Sequence, residues 1–164
     1  MNFPKITILC FLFLFACKTK EHTVNLTKDF QGKVIAVKDG DTIEVLDGNN
    51  PVTIRLAHID CPELKNHQPF GQAAKKFTSD YCFGQIVTVE NDGKYDRYKR
   101  LIAVIINSKN ENVNKELVKA GLAWHFLKYS TDTSYDELEA IAKKNKIGLW
   151  ADENPIAPWD WRKR

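Results

Sequence analysis

The sequence predicts an α+β fold, mainly β, in which a five-stranded Greek-key barrel carries three α-helices. Two observations lead there. Five short stretches alternate or run apolar with β-branched residues, as strands do, and turn dipeptides punctuate them. Three longer stretches carry helical spacing or clear start and stop residues.

The elements follow in chain order. Lys33–Val37 and Thr42–Leu46 read as strands, joined by Lys38-Asp39-Gly40-Asp41, whose Asp-Gly step suits a tight hairpin. Asp47-Gly48-Asn49-Asn50 is a second turn and leads into a strand over Val52–His58. Phe70, Ala73, Ala74, Phe77 and Tyr81 then form one helical stripe, which Gly84 stops. Gln85–Glu90 and Leu101–Ile106 read as the last two strands. A helix over Val113–Ala120 ends at Gly121, and a third, Ser134–Lys144, opens with Ser134 and Glu137 at capping-box spacing. Five short strands with interspersed helices point to a barrel of the oligonucleotide-binding type.

Composition agrees with a single globular domain. The 164 residues are 43% hydrophobic, 27% charged and 11% aromatic, which excludes disordered, collagen-like and low-complexity chains. One domain of this length buries a core without disulfide staples. A formal charge of +3 permits a nucleic-acid partner without identifying one.

The N-terminus reads as a targeting segment. Lys5 supplies a positive start, Ile6 to Phe15 is an apolar run, and Ala16 precedes Cys17. That run covers about half of the roughly 20 residues a membrane-spanning helix needs. Leu14-Phe15-Ala16-Cys17 resembles the lipobox of bacterial lipoproteins, which leaves Cys17 as an acylated N-terminus on the membrane; an ordinary secretory signal is the alternative, and both export the protein. Residues 1–16 are thus assigned to the signal, 17–29 to a polar tether and 30–164 to the folded domain. Cys61 and Cys82 remain in that domain, either as a disulfide worth ~3 kcal/mol or as two buried thiols.

Four polar groups sit at turns and strand ends, where function is displayed. They are Asp39-Gly40-Asp41-Thr42, Arg55 in an apolar strand, Asp60-Cys61-Pro62-Glu63, and Asp96-Arg97-Tyr98-Lys99-Arg100. An arginine in an apolar strand is costly unless it meets an anion. Asp41 and Asp60 offer hard oxygen ligands to calcium, while Glu63 remains to handle a water proton. With two arginines to oppose charge on phosphorus, the set suits phosphodiester hydrolysis. Each group alone also has a plain structural reading as a hairpin, an ion pair, a turn or a solvated charge run.

In this order and spacing the motifs resemble those of the staphylococcal nuclease (thermonuclease) family, over about Lys33 to Arg162. The resemblance rests on Val37 to Thr42, on Ile54-Arg55-Leu56 with Ile59-Asp60-Cys61-Pro62-Glu63, on Gln68-Pro69-Phe70-Gly71, and on Asp96-Arg97-Tyr98 with Arg100. Asn114, Leu117, Val118 and Gly121 to Ala123 extend it, as do Gly148-Leu149-Trp150 and Pro158 to Arg162. It implies a five-stranded barrel with three helices and a Ca2+-dependent endonuclease acting on DNA and RNA, single strands preferred, with 3′-phosphate products. By position, Asp41, Asp60 and the backbone carbonyl of Cys61 would hold calcium. Arg55 and Arg100 would clamp phosphate, and Glu63 would act as general base or orient the attacking water. Tyr98 would lie beside the bound phosphate or base.

The sequence departs from the family twice. Cys61 stands where threonine is common, which a backbone ligand tolerates. Lys99 stands where glycine usually precedes the second arginine, so Lys99 is strained if that position needs positive φ, or else adds a phosphate contact. Trp124, Phe126 and Tyr129 are either stacking platforms for single-stranded bases or core residues. His58, Cys61, His67 and Cys82 do not have the spacing of a usual zinc finger or ribbon. Arg162-Lys163-Arg164 could add to a phosphate footprint. The competing functions are a catalytically silent nucleic-acid-binding module of the same fold and a surface adhesion lipoprotein. The expected oligomeric state is monomer.

Overall fold

The computed structural model describes residues 29–164; the signal at 1–16, Cys17 and the tether up to residue 28 lie outside the described residues. Seven strands run β1 (Phe30–Asp39), β2 (Thr42–Asp47), β3 (Asn50–Leu56), β4 (Ile59–Asp60), β5 (Ile86–Tyr95), β6 (Leu101–Ile106) and β7 (Trp124–His125). Four helices accompany them: α1 (Gly71–Cys82), α2 (Val113–Lys119), α3 (Ser134–Lys144) and α4 (Pro158–Trp161). Five strands close a barrel in the order β1-β2-β3-β6-β5, with β3 and β6 parallel and the other pairs antiparallel.

The barrel forms because alternate residues on each strand are apolar. Val34, Ile43, Val45, Ile54, Leu56, Val87, Val89, Leu101, Ala103 and Ile105 are all buried and fill its interior. Asn114 on α2 is fully buried and fastens that helix to the barrel. Its amide donates to the carbonyls of Ala57 and Ala103 and accepts the Ile105 N–H, so no polar atom of this core residue is left bare.

Several expectations are corrected. The third strand ends at Leu56 rather than His58, because the chain turns at His58 (φ +68°) to lay Ile59 and Asp60 against His125 and Trp124. Phe70 lies outside α1 in the left-handed region, and Ala73 is exposed; the buried face is Gly71, Ala74, Thr78 and Cys82. The Ser134–Glu137 capping box does not form, since Asp132 takes both the N–H (3.0 Å) and the hydroxyl (2.6 Å) of Ser134. A short fourth helix, α4, joins the expected three. Of the two states left open for Cys61 and Cys82, the structure has the buried free thiols.

The two-residue β4–β7 ribbon is too short to hold itself. Side chains lock it instead. Ser130 Oγ lies 2.9 Å from His58 Nδ1 and 2.8 Å from His125 Nε2, and His125 Nδ1 lies 2.7 Å from Asp136 Oδ1. This lock matters because the ribbon carries Asp60.

Candidate active site

One end of the barrel gathers the polar residues. The β1–β2 turn presents Asp41, and β3 presents Arg55 in register with Thr42. Asp60 lies on β4, Glu63 follows it, and Arg100 immediately precedes β6. The hairpin is pressed so close to its neighbours that Gly40 has no room for a side chain: a Cβ there would sit 2.8 Å from the Cβ atoms of Ala74 and Cys61.

Arg55 is the centre of the cluster. Its Nη1 donates to the carbonyls of Leu56 (2.7 Å) and Ile59 (2.8 Å), while Nη2 donates to Asp60 Oδ1 (2.7 Å) and lies 3.2 Å from Asp41 Oδ2. Burial alone would weaken the guanidinium's hold on its proton, but Asp41 and Asp60 more than reverse that. Asp41 in turn accepts the Cys61 N–H (2.9 Å) and the Thr42 hydroxyl (3.1 Å). Burial raises the Asp60 carboxyl above the usual carboxylate range, against the pull of Arg162 and Arg55.

Arg100 joins from the other side. Its Nη1 donates to Thr42 Oγ1 (2.9 Å), and Asp96 grips its Nε (2.7 Å) and Nη2 (2.6 Å). Asp96 also accepts the N–H groups of Tyr98 and Arg100. Burial opposes the ionised form, yet these bonds from Arg100 hold the Asp96 carboxyl below its ordinary value. Lys99 adopts φ +61°, the conformation that favours glycine. A continuous chain of contacts thus runs Arg100–Thr42–Asp41–Arg55–Asp60 and on through Arg162 to Glu63.

The remaining sequence candidates divide. Tyr98 is 64% exposed beside Arg100, and Lys99 is exposed on the same turn. Tyr129 is 70% exposed after β7 and packs edge-on against Phe126. Trp124 is half-buried. Trp150 and Trp159 meet its ring edge-on, and the Lys143 ammonium lies over it. The Cys61 thiol is buried and pushed far up by that burial, so it does not ionise at neutral pH.

Four residues of the site were missed as participants. Thr42 bridges Asp41 and Arg100, and Asp96 orients Arg100. Arg162, expected at a phosphate footprint, instead turns onto Asp60 and Glu63. Burial pushes the Asp39 carboxyl up to about 6, with Asp41 and Glu63 adding to it against hydrogen bonds from Gly40 and Leu64. Placement of Asp39 and Asp41 in one short loop was the available signal for the first of these charge effects.

The donor set fits a hard cation. Among the described residues no three His, Cys, Asp or Glu side chains form a ready cage. However, Asp39, Asp41, Asp60 and Glu63 face only two guanidiniums, Arg55 and Arg162, which leaves the cluster formally negative. Two carboxylates with their remaining positions left to water and a peptide carbonyl suit calcium, which accepts oxygen ligands in flexible geometry. They do not suit zinc, which takes sulfur or imidazole here only if Cys61 and a histidine converge.

Known proteins resemble this sequence. Residues 53–152 match the family described as staphylococcal nuclease homologue. An uncharacterized endonuclease of Haemophilus influenzae is 40% identical over 158 residues, covering 96% of this chain and 82% of its own. An uncharacterized endonuclease of Escherichia coli O157:H7 is 40% identical over 139 residues, covering 85% and 89%. A micrococcal nuclease of Shigella flexneri is 37% identical over 145 residues, covering 82% of each chain. The chain belongs to the staphylococcal nuclease family.

Proposed function

We propose that this protein is a calcium-dependent, sugar-nonspecific endonuclease that cleaves DNA and RNA, single strands preferred, to 3′-phosphate products. The observation that carries this reading is the single contact chain joining Asp41, Arg55, Asp60, Glu63 and Arg100 at one end of the barrel. Asp41, Asp60 and the Cys61 carbonyl would hold calcium, whose charge opposes that of the phosphate oxygens. Arg55 and Arg100 orient the phosphodiester, and their positive charges oppose the negative charge that grows on its oxygens. Glu63 orients a water and takes its proton as the water oxygen bonds to phosphorus and the P–O5′ bond breaks, the leaving O5′ taking a proton from solvent. Tyr98, exposed beside Arg100, stacks on the neighbouring base or sugar. Lys99 and Tyr129 are exposed on the flanking segments for further substrate contact.

The alternative, a silent binding module of the same fold, is disfavoured because all five residues are present and mutually connected. Digestion of single-stranded DNA and RNA with calcium, and with excess chelator, separates the two. Calcium-dependent cleavage leaving 3′-phosphate ends supports the proposal; cleavage in chelator, 3′-hydroxyl ends, or binding without cleavage refutes it.

The leader sequence supports export, with Cys17 as a lipid anchor on the cell envelope and a monomeric domain beyond the tether. Palmitate labelling that is lost in Cys17→Ser tests the anchor. A wholly soluble wild-type protein starting downstream of Cys17 would leave an ordinary secreted enzyme.

A further inference from the structure

We infer that Arg162, at the C-cap of the short helix α4, is a positioning residue that aims the Glu63 carboxylate at the attacking water; this rests on the nuclease reading above. Arg162 Nη1 donates to Glu63 Oε1, and Nη2 donates to Asp60 Oδ2 at 2.7 Å. One guanidinium fork therefore ties the carboxylate assigned to water to a carboxylate assigned to metal. Among the described residues the Glu63 carboxylate has no other hydrogen-bond or ion-pair partner. Glu63 lies in irregular chain between β4 and α1, so its backbone alone does not fix where it points.

The tail is built to deliver this arginine. Gln68 is buried; its Oε1 accepts the Glu63 N–H (2.9 Å) and its Nε2 donates to the Ile156 carbonyl (2.7 Å). The Glu63 turn and the segment leading into α4 are thereby joined through the backbone as well as through Arg162. Pro158 opens α4, and Trp159 lies stacked on Phe126 at 5.2 Å and edge-on to Trp124 at 5.7 Å. These rings fix the helix on the β7 side of the site, and Arg162 follows at its C-cap. Arg162 lies ten residues past the stretch matched by the family model and within the tail motif Pro158 to Arg162.

The arrangement makes a specific division of labour. Asp60 is already held by Arg55, whereas Glu63 depends on Arg162. Removing Arg162 should therefore disturb the water-orienting carboxylate more than the metal-binding pair.

The test is a double-mutant cycle on the purified protein with Arg162→Ala, Arg162→Lys, Glu63→Gln and the Ala/Gln double variant. Single-stranded DNA cleavage at saturating calcium gives kcat and KM, calorimetry gives calcium affinity, and thermal melts report folding. Arg162→Ala should lower kcat ~10–100-fold, as loss of a supporting hydrogen-bond partner does. KM should stay within about twofold and calcium should bind at least as tightly, since a neighbouring cation has gone. The double variant should be no slower than Glu63→Gln alone, because the two residues act through one carboxylate. Arg162→Lys should recover part of the loss, a point charge reaching one carboxylate but not forking to both.

Other results overturn the inference. A raised KM with a loss that persists in the Glu63→Gln background makes Arg162 a phosphate contact. Faster cleavage by Arg162→Ala makes it a plug over the site. Weakened calcium binding places its action on Asp60, and a lowered melting point with equal losses in both backgrounds makes it merely structural. A wild-type protein that binds calcium and never cleaves removes the nuclease reading itself.

Discussion

Arg55 and Arg100 are assigned the same task, yet the fold holds them by opposite means. Arg55 lies inside a β-strand with its side chain only 12% exposed, and carbonyls and aspartates surround it. Arg100 is 25% exposed at the end of a strained turn, held by Asp96 and the Thr42 hydroxyl. The first is part of the structure that makes the site; the second is mounted on it. A shared role in catalysis therefore does not imply a shared role in stability, and substitution should pull the two apart.

Arg55→Ala should be the most damaging change. It strips the counter-charge from Asp41 and Asp60 at once, and losing one partner of a buried pair costs about 3–5 kcal/mol. Cleavage should fall by at least ~10²–10³-fold on top of that loss. Chemical denaturation and single-turnover rates check both. A variant as stable as wild type would mean that the aspartates repel less than their spacing implies.

Arg100→Ala should cost a similar ~10²–10³ in rate but leave the fold standing, with destabilisation of about 1 kcal/mol. What stability it loses has a pH signature. Asp96 is held below its ordinary value in wild type, so the pair's contribution is complete above about pH 4, its unfolded value. That contribution disappears as pH falls through the folded value of Asp96. Wild type and variant should therefore converge in acid, and urea melts at several pH values would show it. A difference that grows in acid would break the contrast.

Gly40→Ala sharpens the contrast from the scaffold side. Its new methyl would lie 2.8 Å from the Cβ atoms of Ala74 and Cys61, both buried core positions. Overpacking of this kind costs about 1–3 kcal/mol. Because the hairpin carries Asp41, calcium affinity and melting point should fall together, whereas the Arg100 turn is untouched. Loss of one without the other would show that hairpin and metal site are mechanically separate.

Much of this was readable in the chain. Alternation in β1, β2, β3, β5 and β6 placed Val34, Ile43, Ile54, Val89 and Ile105 inward, because a barrel buries one face of every strand. Asp41, Arg55, Asp60, Glu63 and Arg100 stood out because turns and strand ends are where charged groups are displayed. The ribbon of β4 and β7 was illegible, since two residues show no period. Ser134 does not cap α3 because its N–H and hydroxyl both go to Asp132, two residues back, a local competition that spacing alone does not reveal. The packing of Trp124 was not legible for a similar reason. Whether a tryptophan face is free depends on Trp150 and Trp159, far along the chain and near only after folding. The turn of Arg162 toward Asp60 likewise joins residues 102 positions apart.

The smallest expected effect is also the cleanest probe of how Arg100 is mounted. Lys99 sits at φ +61°, and an ordinary side chain in the left-handed region costs about 1–2 kcal/mol. Lys99→Gly removes that strain but makes the unfolded chain more flexible, which returns about 0.5–1 kcal/mol. The variant should therefore be more stable by roughly 0.5–1 kcal/mol. Its kcat should stay within about twofold of wild type, because the turn is tied elsewhere. The Lys99 N–H donates to the Asp96 carbonyl, the Asp96 N–H to the Arg100 carbonyl, and the Asp96 carboxylate grips the guanidinium. None of these bonds uses the lysine side chain. If the lysine amine instead touches phosphate, KM should rise and its dependence on salt should flatten by about one counterion. A stabilised variant with unchanged salt dependence would establish that the turn tolerates lysine at a cost, and that Asp96 and Thr42 set where Arg100 points without the lysine side chain.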